Sequence, residues 1–112
     1  MDLGSLVGRV AVRFLDDEEK PGEEVVSECL RTVHDRLCIQ LDSDDAPDKA
    51  ASIVVDAAVK AIRLRGFEGS TSESSSDGGS ISNSFIDNVL DAYADDIARL
   101  YASLHRGKVR FL

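Results

Sequence analysis

Few side chains in this chain could do chemistry, and their spacing narrows what that chemistry could be. The histidines are His34 and His105. His34 adjoins Asp35, but consecutive residues of a helix point in different directions and do not form a working pair. A carboxylate-bridged metal site in a helix bundle needs a Glu three residues before each His; Arg31 precedes His34 and Ala102 precedes His105. Cys29 and Cys38 lie on opposite faces if their segment is helical, roughly 13 Å apart along the axis. They read as reduced, structural thiols. "DSDDAPD" sets Asp42 and Asp44 at the first spacings of a calcium loop, but it lacks the glycine and glutamate such a loop requires further on. "SSSDGGS" shares only composition with a phosphate-cradling loop: no Lys follows it and the neighbourhood is acidic. Asp87, Asp91 and Asp95 form a row at helical spacing, which reads as a solvated or inter-subunit face. No enzyme is expected, and no cofactor.

The apolar residues predict the elements that position these groups. A stripe of Leu3, Leu6, Val7, Val10 and Phe14 follows a candidate N-cap at Asp2, with Gly4 and Gly8 weakening a short first helix. Pro21 suits the first position of a second helix, with Glu23 and Glu24 in its first turn and Val26, Leu30, Val33, Leu37 and Leu41 as its buried stripe. Asp45 is the expected N-cap of a third helix over about 46–67. That helix is apolar nearly all round, as a helix pressed between neighbours must be. Ser84 is the expected N-cap of a fourth helix, striped by Phe85, Ile86, Val89, Leu90, Tyr93, Ile97, Leu100, Tyr101 and Leu104 and stopped at Gly107. The expected fold is an all-α bundle of about four helices. A helical domain over 1–106 holds a long Ser/Gly-rich loop, 68–83, between its last two helices, and an extended tail covers 107–112.

That tail, "KVRFL", alternates Lys108 and Arg110 with Val109 and Phe111 before Leu112, a period of two. A lone strand is not stable, so its expected partner is another protein. Charge is segregated: residues 68–96 hold seven acids and no base, whereas 97–112 hold four bases and no acid. Such asymmetry serves head-to-tail assembly. A net charge of −8 suits a surface that lets DNA pass rather than one that grips phosphates. No apolar run approaches a membrane span and no secretory signal is evident, so the expected origin is cytosolic.

Taken in order, "VHDRLCIQL", "SIVVDAAVKAIRLRGFEGSTSES", the Ser-rich stretch ending "ISNSF", "DDI" at 95–97 and the terminal "GKVRFL" resemble the small head–tail connector (head-completion adaptor) proteins of long-tailed bacteriophages, over about residues 29–112. The resemblance implies a non-enzymatic helical protein of the virion neck, made in the bacterial host cytoplasm. It implies a homo-oligomeric, dodecameric ring beneath the portal protein, which extends the DNA channel and docks a stopper or tail-completion protein without binding DNA specifically. The portal-binding tail would be Lys108, Val109, Arg110, Phe111 and Leu112. The inter-subunit or tail-side loop would carry Glu68, Ser70, Ser72, Glu73, Ser74, Asp77 and Ser80. Lys60, Arg63, Arg65, Asp87, Asp91 and Asp95 are the candidate inter-subunit charges. "DGG" in the loop stands where the family pattern has a bulkier residue. The alternative is a small acidic helical binding module, a regulator or DNA-mimic inhibitor, which would gain nothing from a basic tail.

Overall fold

In the computed structural model, which describes residues 1–15, 21–66 and 83–109, the first helical segment begins where its cap was expected. The Asp2 carboxylate accepts the Gly4 N–H at 3.1 Å, opening a 3₁₀ turn over Leu3–Leu6 that leads into α1, Val7–Ala11. Leu6, Val10 and Phe14 are buried, so the expected stripe does form the inner face.

Helix α2, Glu23–Leu41, starts with Gly22 at its N-cap; Pro21 stands before the cap and not at the first helical position. The acids Glu23 and Glu24 occupy the first turn, where the helix dipole favours them. At the other end Asp42 takes a left-handed conformation, φ 52°. Ser43 N–H then reaches Cys38 O at 3.1 Å and Asp42 N–H reaches Ile39 O at 3.2 Å. These are the two bonds of a Schellman termination, here built on an aspartate.

A 3₁₀ turn over Asp48–Ala50 leads into α3, Ala51–Ala61, which continues as a π-helical turn over Ile62–Gly66. The N-cap of this unit is Pro47 and not Asp45, because the Asp45 carboxylate is engaged elsewhere. As expected of an all-round apolar helix, Val54, Val55, Ala57, Ala58, Val59 and Ala61 are all buried. The small side chains allow close approach: the Cys29 thiol donates to the Ala58 carbonyl across α2 and α3 at 3.7 Å.

The fourth expected helix is divided. Helix α4, Asn83–Leu90, and helix α5, Ala94–Val109, are separated by a 3₁₀ turn over Asp91–Tyr93. Ser84 therefore lies inside the first turn instead of capping it. The interruption has a tertiary cause, for the turn delivers the Tyr93 hydroxyl to Asp56 on α3. Helix α5 also runs past Gly107, so Gly107, Lys108 and Val109 are helical and the boundary placed at 107 moves outward. A glycine costs a helix interior only about 1 kcal/mol. Of the expected strand, Arg110, Phe111 and Leu112 lie outside the described residues, as does the loop from 67 to 82.

Paired contacts give the directions. Arg9–Ser52 and Arg13–Asp56 set α1 alongside α3 in the same sense. Cys29–Ala58 and His34–Asp45 set α3 antiparallel to α2. Tyr93–Asp56 at its start and His105–Leu41 at its end make α5 antiparallel to α3. The result is an all-α bundle with one core centred on Leu30, Leu37, Leu41, Ile62, Ile86 and Leu90, and no strand among the described residues.

Candidate interaction surfaces

Among the described residues, a group of polar side chains gathers around His34. Helix α2 presents His34 and Cys38 one turn apart, and the chain after α2 brings Asp45 against them. Asp45 Oδ1 lies 2.9 Å from His34 Nε2, while Oδ2 accepts the Met1 amine at 2.5 Å. Cys38 Sγ lies 3.5 Å from Nε2 and 3.8 Å from Nδ1. A relay for thiol catalysis needs thiol and carboxylate on opposite ring nitrogens. Here the carboxylate, the thiol and the Ala46 N–H (3.3 Å) all crowd Nε2. Burial, reinforced by the Asp45 charge, also pushes the Cys38 thiol up and so disfavours thiolate. The bond from the Met1 amine, followed by that from His34, holds the Asp45 carboxyl below the usual range. The group ties the chain's first residue to the end of α2. The i, i+4 spacing of His34 and Cys38 was visible in the sequence, whereas Asp45 reaches them only through the fold.

Three of the six charges expected between subunits, Lys60, Arg63 and Asp87, have partners within this one. Lys60 Nζ sits 4.8 Å above the Tyr93 ring and 4.0 Å from Asp56. Arg63 Nη2 donates to the Arg13 carbonyl at 2.8 Å, its guanidinium 5.0 Å from the Phe14 ring centre. Asp87 receives two hydrogen bonds from Arg36, at 3.1 and 2.9 Å. The 3₁₀ turn breaks the row that would have joined Asp87 to Asp91 and Asp95, and the latter two are exposed. Arg99 lies 3.6 Å from Asp96. The Arg65 side chain, and Glu68, Ser70, Ser72, Glu73, Ser74, Asp77 and Ser80, lie outside the described residues. Lys108 and Val109 continue α5.

Two ends of the bundle instead expose large apolar side chains. Where α1 and α3 finish, the Arg63–Arg13 contact draws together segments bearing Val12, Leu15 and Leu64, each between 56% and 79% exposed. Where α2 and α5 finish, Ile39 is 62% exposed, and Tyr101 and Leu104 are partly so. A cleft of about 590 Å³ opens there, lined by Cys38, Ile39, Asp42, Asp44, Leu104 and His105. Its floor is fixed by His105, whose Nε2–H donates to the Leu41 carbonyl at 2.8 Å while its ring lies 4.3 Å from that of Tyr101.

Comparison with family models, with curated proteins and with solved structures gives no match.

The helical periodicity had assigned Tyr101 and Leu104 to the buried stripe. They are outside because α5 meets the end of α2 through His105, which is turned inward onto the Leu41 carbonyl. An apolar stripe wider than the surface it packs on leaves unpartnered residues at its edge, and these two are that edge.

Proposed function

We propose that this protein is a structural head–tail connector, a subunit of a ring beneath the portal of a phage capsid that prolongs the DNA channel and receives a stopper or tail-completion protein. The reading rests on the ordered set of motifs from residue 29 onward. The observation in the structure that best supports it is the pair of exposed apolar ends. A closed ring uses a heterologous interface, so each subunit needs two different sticky surfaces. A bundle with one cluster at each end of α2 supplies them. The basic residues after Leu104, namely Arg106, Lys108 and Arg110, would meet an acidic surface of the portal protein, while the net-acid body leaves DNA free to slide.

The test is electron microscopy of DNA-filled heads lacking their connector, mixed with the full-length protein or with a form truncated after Arg106. Added density at the portal vertex with the full-length protein alone supports both the connector role and tail anchoring. Density with both forms retains the role and removes the tail as anchor. If neither form binds, the connector reading is lost, and tight one-to-one binding to a basic protein becomes the property to seek.

A further inference from the structure

We infer that His34 is a pH-operated switch in the chain that joins α2 to α3, its Nε2 accepting from the Ala46 N–H when the ring is neutral and donating to the Asp45 carboxylate when the ring is charged. The inference stands apart from the connector reading.

One ring nitrogen faces two partners with opposite demands. The Ala46 N–H points at Nε2 at 3.3 Å and needs a lone pair there. The Asp45 carboxylate lies 2.9 Å from the same atom and needs a proton there. An imidazole nitrogen carries one or the other, never both. Charged, the ring serves Asp45 and turns an N–H toward the Ala46 amide. Neutral, it has two choices, and burial decides between them. A proton on Nε2 would leave the Ala46 N–H without this acceptor in a residue that is 1% exposed, and an unpaired buried amide is costly. Asp45 loses less, since its side chain is 57% exposed and it also accepts the Met1 amine. The neutral ring therefore keeps its proton on Nδ1, which lies 3.8 Å from Cys38 Sγ, and serves Ala46.

The titratable and charged groups around this pair come from each neighbouring segment. Helix α2 contributes Cys38, which lies in the fields of Asp35 and Asp44. The first segment contributes the Met1 amine, which binds Asp45 and lies in the fields of Asp48 and Cys38. Helix α5 contributes His105, which lines the same cleft as Cys38. From Asp45 to Pro47, the Ala46 N–H is the backbone donor that reaches α2, because the Asp45 N–H goes to Ser43 Oγ at 3.3 Å and Pro47 has none. Giving up that bond loosens the stretch whose preceding residues, Asp42, Ser43 and Asp44, form one wall of the cleft beside Cys38. Protonation of His34 is thus read out in the shape of the cleft.

The experiment is nuclear magnetic resonance of the nitrogen-labelled full chain and its Asp45→Asn variant, over the pH range in which circular dichroism shows the fold intact. At high pH His34 should show a bare Nε2 and a protonated Nδ1. As the ring charges, the Ala46 amide signal should move with the same midpoint and its exchange with solvent should quicken. His105 supplies the contrast, because its Nε2 donates to the Leu41 carbonyl and should stay protonated throughout. In Asp45→Asn the bond from Ala46 should persist at high pH and the His34 midpoint should fall, for the charged ring has lost its anion. A His34 Nε2 protonated at high pH would overturn the switch, as would an Ala46 amide indifferent to the His34 midpoint. So would a midpoint that Asp45→Asn leaves unmoved or raises, or a ring that keeps one protonation state wherever the protein is folded.

Discussion

Tyr93 shows what a single hydroxyl does here. It donates to Asp56, and that bond, ahead of the bond from Arg13, holds the Asp56 carboxyl below its ordinary value. A carboxyl with a lowered folded-state pKa stabilises fully above its unfolded value, near 3.8, and loses that contribution as pH falls through the lowered folded value. Tyr93→Phe keeps the ring beneath Lys60 and removes only the hydroxyl. It should cost about 0.5–1.5 kcal/mol at neutral pH, and stability should fall less steeply in acid than in wild type. Urea melts at neutral pH and at successive pH values below 3.8 read both effects; an unchanged acid dependence would place the control of Asp56 elsewhere. The thiols make a second case. Burial pushes Cys29 up to about 12 and raises Cys38 as well, so Cys29 should react with Ellman's reagent at the rate of unfolding, and Cys38, which lines the cleft, more slowly than a free thiol. Rapid modification of Cys38 in the folded protein would mean that the His34 cluster activates it.

At the scale of elements, the buried stripes of α2 and α3 were legible because periodicity records which face meets the core. Val26, Leu30, Val33 and Leu37 were expected inside and are inside. What could not be read were features set by partners distant in sequence. The 3₁₀ break at Asp91–Tyr93 follows from Asp56, and the loss of Asp45 as a cap follows from His34 and Met1; no local pattern announces either. Exposure of Tyr101 and Leu104 depends likewise on where α2 ends. Gly107 was misplaced for another reason: a glycine near a helix end looks the same whether it stops the helix or is tolerated by it. Since α5 continues to Val109, Gly107→Ala should raise stability by up to about 1 kcal/mol. A glycine in the left-handed stop would instead make alanine destabilising, so the sign of the change in melting temperature decides. His105 joins two elements by covering the Leu41 carbonyl at the end of α2. His105→Ala should cost about 1–3 kcal/mol by leaving that carbonyl without its partner, readable as an earlier chemical-denaturation midpoint.

For the whole molecule, the charge balance bears on how the proposed connector would meet DNA. Twenty-one acids against thirteen bases make the approach of a phosphate backbone unfavourable, because binding there is driven by cations releasing condensed counterions. Several of the bases are tied down within the chain: Arg13 to Asp56, Arg36 to Asp87, and Arg63 to a backbone carbonyl. Duplex DNA should therefore migrate unretarded through a native gel at micromolar protein and physiological salt. A retarded band that weakened steeply with added salt would reveal a cationic track and count against the proposal that DNA slides past this protein without being held.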